Sequence, residues 1–442
     1  MPAVPLPLDQ TFTSFEAAGG TTVARTLHPS GLRVLTEHVP GSQSATVGFW
    51  IPAGSRDEAE GAYGSTHFLE HLLFKGTPTR SALDIAIAFD SVGGDHNAVT
   101  AKEYTCYYGK VRDQDLPMAI DVLADMTAAA LIDPAEFETE RGVILEELAM
   151  ADDDPADVAG ERFAAAVYGS HPLGRPIGGS PASITAVPRD RVHEHYLQHY
   201  RPSELVVTAA GAVDHDALVD AVVSGLERHG WDLSLNADPR PRRDAAPARI
   251  EGRIPVTAVR RKLEQVSLVL GTSALTATAE ERPTLAVLSA VLGGGMSSRL
   301  FQEVRERRGL AYSVYSYAPG YSDAGAFAMA AGCAPKKVRE VLRVMSDEFG
   351  GLAAEPVSGG ELGRAIGQLS GSAALALEDS DSRMNRLGRA ELSLGEFVDL
   401  DTWSERLAAV TPEGVQSLAG RLVVQDRVVV GVGPVEESTL VA

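Results

Sequence analysis

Two stretches of the chain, 222 residues apart, read almost alike: "LVVTAAGAV" (205–213) and "RVVVGVGPV" (427–435). Gly211 and Gly433 hold the same place in them, each two residues before a valine. A second pair, "ERGVILEEL" from Glu140 and "ELGRAIGQL" from Glu361, lies 221 residues apart. A third, "ATVGFWIPAGS" and "VSLVLGTSALT", sets Val47 over Leu268 at that same shift. Three weak matches at one common offset indicate a tandem duplication, with a period far too long for a solenoid. The 442 residues are about twice what one hydrophobic core supports, which fits two domains.

Between the copies runs "RHGWDLSLNADPRPRRDAAPARIEGRIP" (228–255), rich in Pro, Arg and Asp and without a sustained period. It reads as a linker, so the expected domains are 1–227 and 256–442. Within each half, short β-branched strands such as "LRVLTEHV" alternate irregularly with amphipathic helices such as "LPMAIDVLADMTAAALI". Asp133 followed by Pro134 marks a helix start, an N-cap before proline at the first position. Without regular βαβ alternation, the expected class is α+β: two tandem homologous α/β-sandwich domains, each a mixed or antiparallel sheet packed with helices.

Bulk composition mainly excludes. At 44% apolar and 22% charged this is an ordinary globular chain, with no apolar run of membrane-spanning length. The opening "MPAVPLPLDQ" has neither a basic nor an apolar signal region, so the expected location is cytoplasmic. Cys106 and Cys333 cannot build a disulfide framework and are expected to be buried free thiols. A net charge of −21 argues against nucleic acid and suits basic ligands, though acidity also simply keeps a chain in solution.

The segment "HFLEH" carries the chemistry. On a helix, His67 and His71 stand one turn apart and can direct both imidazoles at one ion, with Glu70 on the same side. Two nitrogens and an adjacent carboxylate base are what metal-assisted peptide hydrolysis needs. A catalytic zinc takes a third protein ligand, and the inverted H-x-x-E-H order is a zinc-peptidase signature. Downstream, Glu140 and Glu147 are seven residues apart and share a helix face, while Glu146 points about 100° away. Glu147 is therefore the candidate ligand, with Glu140 behind it supporting a ligand. A solvated helix face bearing two unremarkable histidines is the alternative. The duplication supplies a control: at the 221-residue shift, His67, Glu70, His71 and Glu147 fall on Leu288, Val291, Leu292 and Gln368. One half carries chemistry and the other does not.

With these motifs in place, the chain resembles the pitrilysin/insulinase zinc peptidases, and among them the single-chain bacterial relatives of the mitochondrial processing peptidase β subunit. "HFLEHLLFKGT", "GGDHNAVTAKEYTCY", "HPLGRPIGG" and "LGGGMSSRLFQEVRERRGLAYSVYS" carry the resemblance across nearly the whole chain. It implies a Zn²⁺ held by His67, His71 and Glu147, with Glu70 as the base and Glu140 in a catalytic supporting role. It implies that Asn97 and Ala98 lie on a strand that pairs with the peptide substrate, and that Arg305 and Tyr312 contact that peptide. Family members enclose unfolded or short peptides between two bowl-shaped halves. A chain of this length would supply one half of such a clamshell, so a homodimer is implied, with Arg305 and Tyr312 serving the partner's zinc. A non-catalytic scaffold subunit is the rival reading; it would have lost motif residues that this chain keeps.

Two further patterns look like sites but lack the chemistry of one. "RVHEHYLQHY" sets His195 and His199 at a metal-compatible spacing, but no carboxylate helix follows, so an ordinary surface helix is expected. "LGGGMSS" lacks the lysine of a phosphate loop. His96 is assigned no role.

Overall fold

The computed structural model describes residues 3–441, which form two compact units of sheet and helix. Neither unit is a consecutive stretch. The first takes the chain through Leu148, then Pro176–Arg242 and Leu375–Asp399; the second takes Ala149–Arg175, Arg243–Ala374 and everything from Leu400. Set against the consecutive halves 1–227 and 256–442, each unit has gained a helix from the other half. Ser380–Arg389 lies in the first and Pro155–Tyr168 in the second. Residues 229–255 contain no helix or strand.

The first unit's sheet has seven strands, in the order Phe12–Ala17, Thr21–Leu27, Arg33–His38, Val206–Gly211, Ser44–Ile51, Thr105–Arg112, Asp95–Thr100. The second has five: Ala311–Tyr317, Ala326–Cys333, Val266–Ser273, Val428–Gly433, Val256–Arg260. Read from opposite ends, five successive strands correspond, including the one parallel pair in each sheet. The register corresponds too. Val47 stands opposite Ala209, and Leu268 opposite Gly431. Gly211 and Gly433 close the equivalent strands with φ of +120° and +139°, where a Cβ would meet Ser44 O at 2.2 Å and Gln265 O at 2.5 Å. Only glycine fits such a crossing.

Why each sheet needs a foreign helix follows from its strands. In Ser44–Ile51, residues 45, 47, 49 and 51 enter one core while Trp50 enters another on the reverse face. A strand apolar on both faces demands cover on both. In the first unit Met384 and Leu387 of Ser380–Arg389 supply it, packing with Leu35, Trp50 and Val206. In the second, Val158, Phe163 and Val167 pack on Val269, Ala328 and Val430. Gly48 and Gly271 make room: a Cβ would stand 2.5 Å from Met384 Sδ and 2.6 Å from Phe163 Cζ respectively.

Cys106 and Cys333 are free and buried. Among the described residues, no helix is long and apolar enough to cross a membrane. The helix Arg189–His199 lies at the surface as expected, with Arg191, Glu194, Leu197 and Gln198 exposed, but it turns His195 and His199 inward, at 6% and 5% exposure. Its histidines lie against other protein groups, His195 Nε2 being 3.2 Å from Thr66 Oγ1. Burial, and then His199, push His195 down to about 3 and keep it neutral.

Buried ions fix the foreign helix in the first unit. Glu391, fully buried, accepts Arg25 Nε at 2.9 Å and Arg33 Nη1 at 3.4 Å. Truncating it would strand two buried guanidinium groups. Glu391→Ala is expected to lower unfolding free energy by about 3–5 kcal/mol in urea titration, against under 1 kcal/mol for an exposed pair such as Arg343–Asp347.

Candidate metal centre

The helix Ser65–Leu73 carries the two histidines, and its start is tightly specified. Gly64 holds the N-cap with φ +94°, where a Cβ would strike Ile184 Cδ1. Buried Glu58 accepts the N–H groups of Gly64 and Thr66, both at 2.8 Å, and so sets a carboxylate at the positive end of the helix. Phe68, Leu69, Leu72 and Leu73 are buried, which leaves His67, Glu70 and His71 on the half-buried side.

A second helix, Pro134–Asp153, opens as its sequence predicts. Asp133 Oδ1 accepts the N–H groups of Ala135 and Glu136 at 2.8 and 3.2 Å. Its buried stripe is Phe137, Glu140 and Ile144, a carboxylate in a row of apolar positions. Phe137 stacks on Phe68 at 4.6 Å between centroids and ties the two helices together. Glu147, two turns beyond Glu140, emerges at the half-exposed rim.

Three donor atoms converge between these helices. His67 Nε2 and His71 Nε2 are 3.3 Å apart. Glu147 Oε2 lies 3.3 Å from His71 Nε2 and 3.6 Å from His67 Nε2. A tetrahedral ion with bonds near 2.0–2.1 Å separates its ligands by about 3.3 Å, so the spacing fits zinc. Two imidazoles and one carboxylate are also the donor set of catalytic rather than structural zinc. Among the described residues, this is the group of histidines, cysteines and carboxylates close enough to share one ion. Glu146 is exposed and not part of it.

The surroundings fix which nitrogen offers its lone pair. Glu140, 2% exposed, holds His71 Nδ1 at 2.8 Å, so that nitrogen carries the proton and Nε2 is free to ligate. Lys75 Nζ, 2.6 Å from Glu140 Oε1, balances the buried charge. Burial, and then the neighbouring His71, lower the pKa of His67 and favour its neutral, ligating form. Glu70 stands beside the three donors, and its Oε2 accepts the hydroxyl of Thr100.

Asn97 and Ala98 lie on Asp95–Thr100, the outermost strand of the first sheet. The Ala98 N–H is held by Asn97 Oδ1 at 2.8 Å. Arg305 and Tyr312 meet in the second unit. The Arg305 guanidinium carbon sits 4.3 Å from the Tyr312 ring centroid and 4.8 Å from that of Phe301. Both residues occupy irregular backbone. Arg305 is on a π-helical stretch, Phe301–Arg307, and Tyr312 is the extra residue of a bulge between Ala311 and Ser313. Such irregularities re-aim side chains, and Tyr312 is 78% exposed.

Sequence reasoning missed four supporting residues: Glu58, Lys75, Thr100 and Gly178. Lys75, Thr100 and Gly178 act through contacts remote in the chain, and Glu58 caps its helix from a loop six residues ahead of Gly64, outside the usual N-cap spacing. The strongest available signal was the paired glycine of "PIGG", since Gly178 faces the His67 ring. In the second half, the counterpart positions have closed over. Leu288, Val291 and Leu292 are buried, Gln368 Nε2 donates to Gly294 O at 2.6 Å, and Glu361 holds Arg299 at 2.8 Å.

A Cβ at Gly178 would stand 3.0 Å from Leu148 Cδ2 and 3.4 Å from His67 Nδ1. Gly178→Val is therefore expected to push the imidazole off line and weaken zinc binding by about 10-fold or more, read by chelator competition. A wild-type zinc affinity in that variant would show that Gly178 does not hold the His67 ring in line.

Two family models match the chain. One, insulinase (peptidase family M16), covers residues 33–180; the other, the peptidase M16 inactive domain, covers 186–369, where the metal-site positions have become Leu288, Val291, Leu292 and Gln368. An uncharacterised zinc protease of Streptomyces coelicolor is 49% identical over 90% of this chain and 86% of its own length. Another, from Bacillus subtilis, is 37% identical over 92% of this chain and 97% of its own. Among solved structures, a protease from Helicobacter pylori superposes with TM-score 0.82 at 20% identity, covering 95% of this chain and 99% of that one. A chain of complex III2 from Candida albicans gives 0.80 at 19% identity, covering 94% and 96%; both likenesses are of fold. Two matched models and relatives at this identity place the chain in the pitrilysin/insulinase family of zinc metallopeptidases, peptidase family M16.

Proposed function

We propose that this protein is a zinc-dependent endopeptidase that cleaves unfolded or short peptides. The convergence of His67, His71 and Glu147 on one point, with Glu70 alongside, carries the reading. The relatives named zinc proteases support a peptidase.

Zinc bound there would act as a Lewis acid toward the scissile carbonyl and the attacking water. The protein's own groups do the rest. Glu70 takes a proton from the attacking water and returns it to the leaving amine nitrogen. Thr100 occupies Glu70 Oε2, which leaves Oε1 for that proton. Glu140 keeps His71 in its ligating tautomer. The strand Asp95–Thr100 receives the peptide in extended form, with Asn97 and Ala98 at its centre, and main-chain hydrogen bonds give affinity with little sequence demand. The net charge of −21 favours basic peptides.

Arg305 and Tyr312 complete the site from a second copy of the chain, Tyr312 offering its hydroxyl to the developing oxyanion. The exposure of Tyr312 and the stacking of Arg305 on its ring suit a pair presented outward as one unit.

Elemental analysis should find one zinc per chain, and chelation should abolish cleavage of a quenched peptide. Glu70→Gln should retain its zinc and lose kcat by about 10²–10⁴-fold. Full activity in that variant, or a protein that binds no zinc, overturns the reading. Mixing Glu70→Gln with Tyr312→Phe chains should restore roughly a quarter of wild-type activity, because half the dimers then carry one intact site of two. A mixture no better than the single variants would place the pair in its own chain's site.

A further inference from the structure

The strand Asp95–Thr100 and the base Glu70 meet in one residue. Its hairpin partner is Thr105–Arg112, and Ala101 N–H donates to Tyr104 O at 2.8 Å to close the turn. In an antiparallel pair, hydrogen-bonded and non-hydrogen-bonded positions alternate. Counting from Ala101, residues 99, 97 and 95 turn their backbone toward the neighbouring strand. His96, Ala98 and Thr100 turn theirs to the free edge, where no further strand pairs among the described residues. The Ala98 N–H agrees independently, being held by the Asn97 side chain and not by the next strand. Asn97 therefore presents its amide group at the edge, where its Oδ1 covers the Ala98 N–H, while the Ala98 C=O and the main chain of Thr100 face outward.

Thr100 thus offers N–H and C=O to the edge, while its hydroxyl crosses to the face of Ser65–Leu73 and donates to Glu70 Oε2. A glutamate side chain has three rotatable bonds, and one fixed donor selects among its rotamers. Threonine suits that task because its β-branched χ1 is stiff. A displacement of the strand is passed to the hydroxyl, and a strand held by peptide holds the hydroxyl in place.

We propose that Thr100 is a positioning residue that couples docking of the peptide main chain to the orientation of Glu70. This rests on the reading of Glu70 as the general base. Binding energy from residues remote from the scissile bond is thereby converted into alignment of the base, so it raises kcat and not only affinity. Longer peptides, which pair along more of the strand, turn over faster than truncated ones.

The test compares wild type, Thr100→Val, Thr100→Ser and Glu70→Gln on two quenched peptides of nested length, with zinc content and thermal unfolding measured alongside. Thr100→Val keeps the branched shape and removes the donor. It should lose kcat by about 10–100-fold with KM within about 3-fold and one zinc per chain, and the kcat advantage of the longer peptide should vanish. Thr100→Ser, which keeps the donor, should recover most of that rate. Wild-type kcat in Thr100→Val overturns the proposal, as does a serine variant no better than the valine one, which would mean that packing and not the hydroxyl matters. Should Thr100→Val unfold or lose zinc, Thr100→Ala against Thr100→Ser isolates the hydroxyl, and equal kcat in those two overturns it. Glu70→Gln separates the premises. If it is inactive while Thr100→Val is unimpaired, the base stands and only the coupling falls; if it is fully active, the base reading falls first.

Discussion

Everything at the metal centre depends on a carboxylate kept from water. Glu140 occupies a position in its helix where the buried stripe would otherwise take a leucine or isoleucine, between Phe137 and Ile144. A bare buried carboxylate costs several kcal/mol, and this one is made tolerable by His71 Nδ1 on one oxygen and Lys75 Nζ at the other. The arrangement does three things at once. It fixes the distance between the two helices, chooses the histidine tautomer, and sets the register that brings Glu147 over the imidazoles two turns later. Replace Glu140 by an apolar residue and the helices would still pack through Phe68 and Phe137, but nothing would aim His71.

The exchange of helices raises a specificity problem that apolar burial cannot solve. The two sheets share strand order and register, so the sheets alone do not say which helix belongs on which reverse face. Charge discriminates. Fully buried Glu37 binds Arg386 at 2.8 Å and also Arg383, both guanidinium groups coming from the segment Ser380–Arg389. Pro155–Tyr168 carries one arginine, Arg162, and could not satisfy that carboxylate in the same way. Buried ion pairs add little net stability compared with apolar packing, but a mismatched one is costly. Their worth here lies in the wrong pairing they forbid.

How much of this was legible follows from the range over which each signal acts. The duplication was readable because strand ends need glycine at a crossing, and Gly211 and Gly433 mark it in the chain itself. His67, His71, Glu140 and Glu147 were readable because helical spacing converts sequence separation into geometry. The exchange of helices was not, since the apolar stripe of Pro155–Tyr168 states that it is buried and not against what. The burial of His195 and His199 escaped for the same reason: spacing is blind to which side of a helix meets the protein. Thr100 and Lys75 were invisible because their partners, Glu70 and Glu140, lie 30 and 65 residues away. The bulge at Tyr312 depends on register with Cys333 and Gly332, which no local pattern encodes.

The comparison of the two units shows what a reactive site demands of a fold. In the second unit every polar group at the corresponding place has found a partner. Gln368 is tied to the C-terminal end of the helix Arg282–Gly293, Arg299 holds Glu361 down to about 2, and the remaining positions are apolar. In the first unit three lone-pair donors are turned on one point at 3.3–3.6 Å, an arrangement that gains nothing from their mutual contact. The scaffold must impose it: Glu58 fixes the helix start, Phe68 and Phe137 fix the crossing, and Glu140 fixes the ring. Where that scaffolding is kept, two imidazoles and a carboxylate face one another closely enough to hold an ion. Where the donors were replaced, the helices satisfy each other. Reactivity in this fold is thus a matter of which polar groups the packing leaves facing one another, and the two halves of one chain have settled that question in opposite ways.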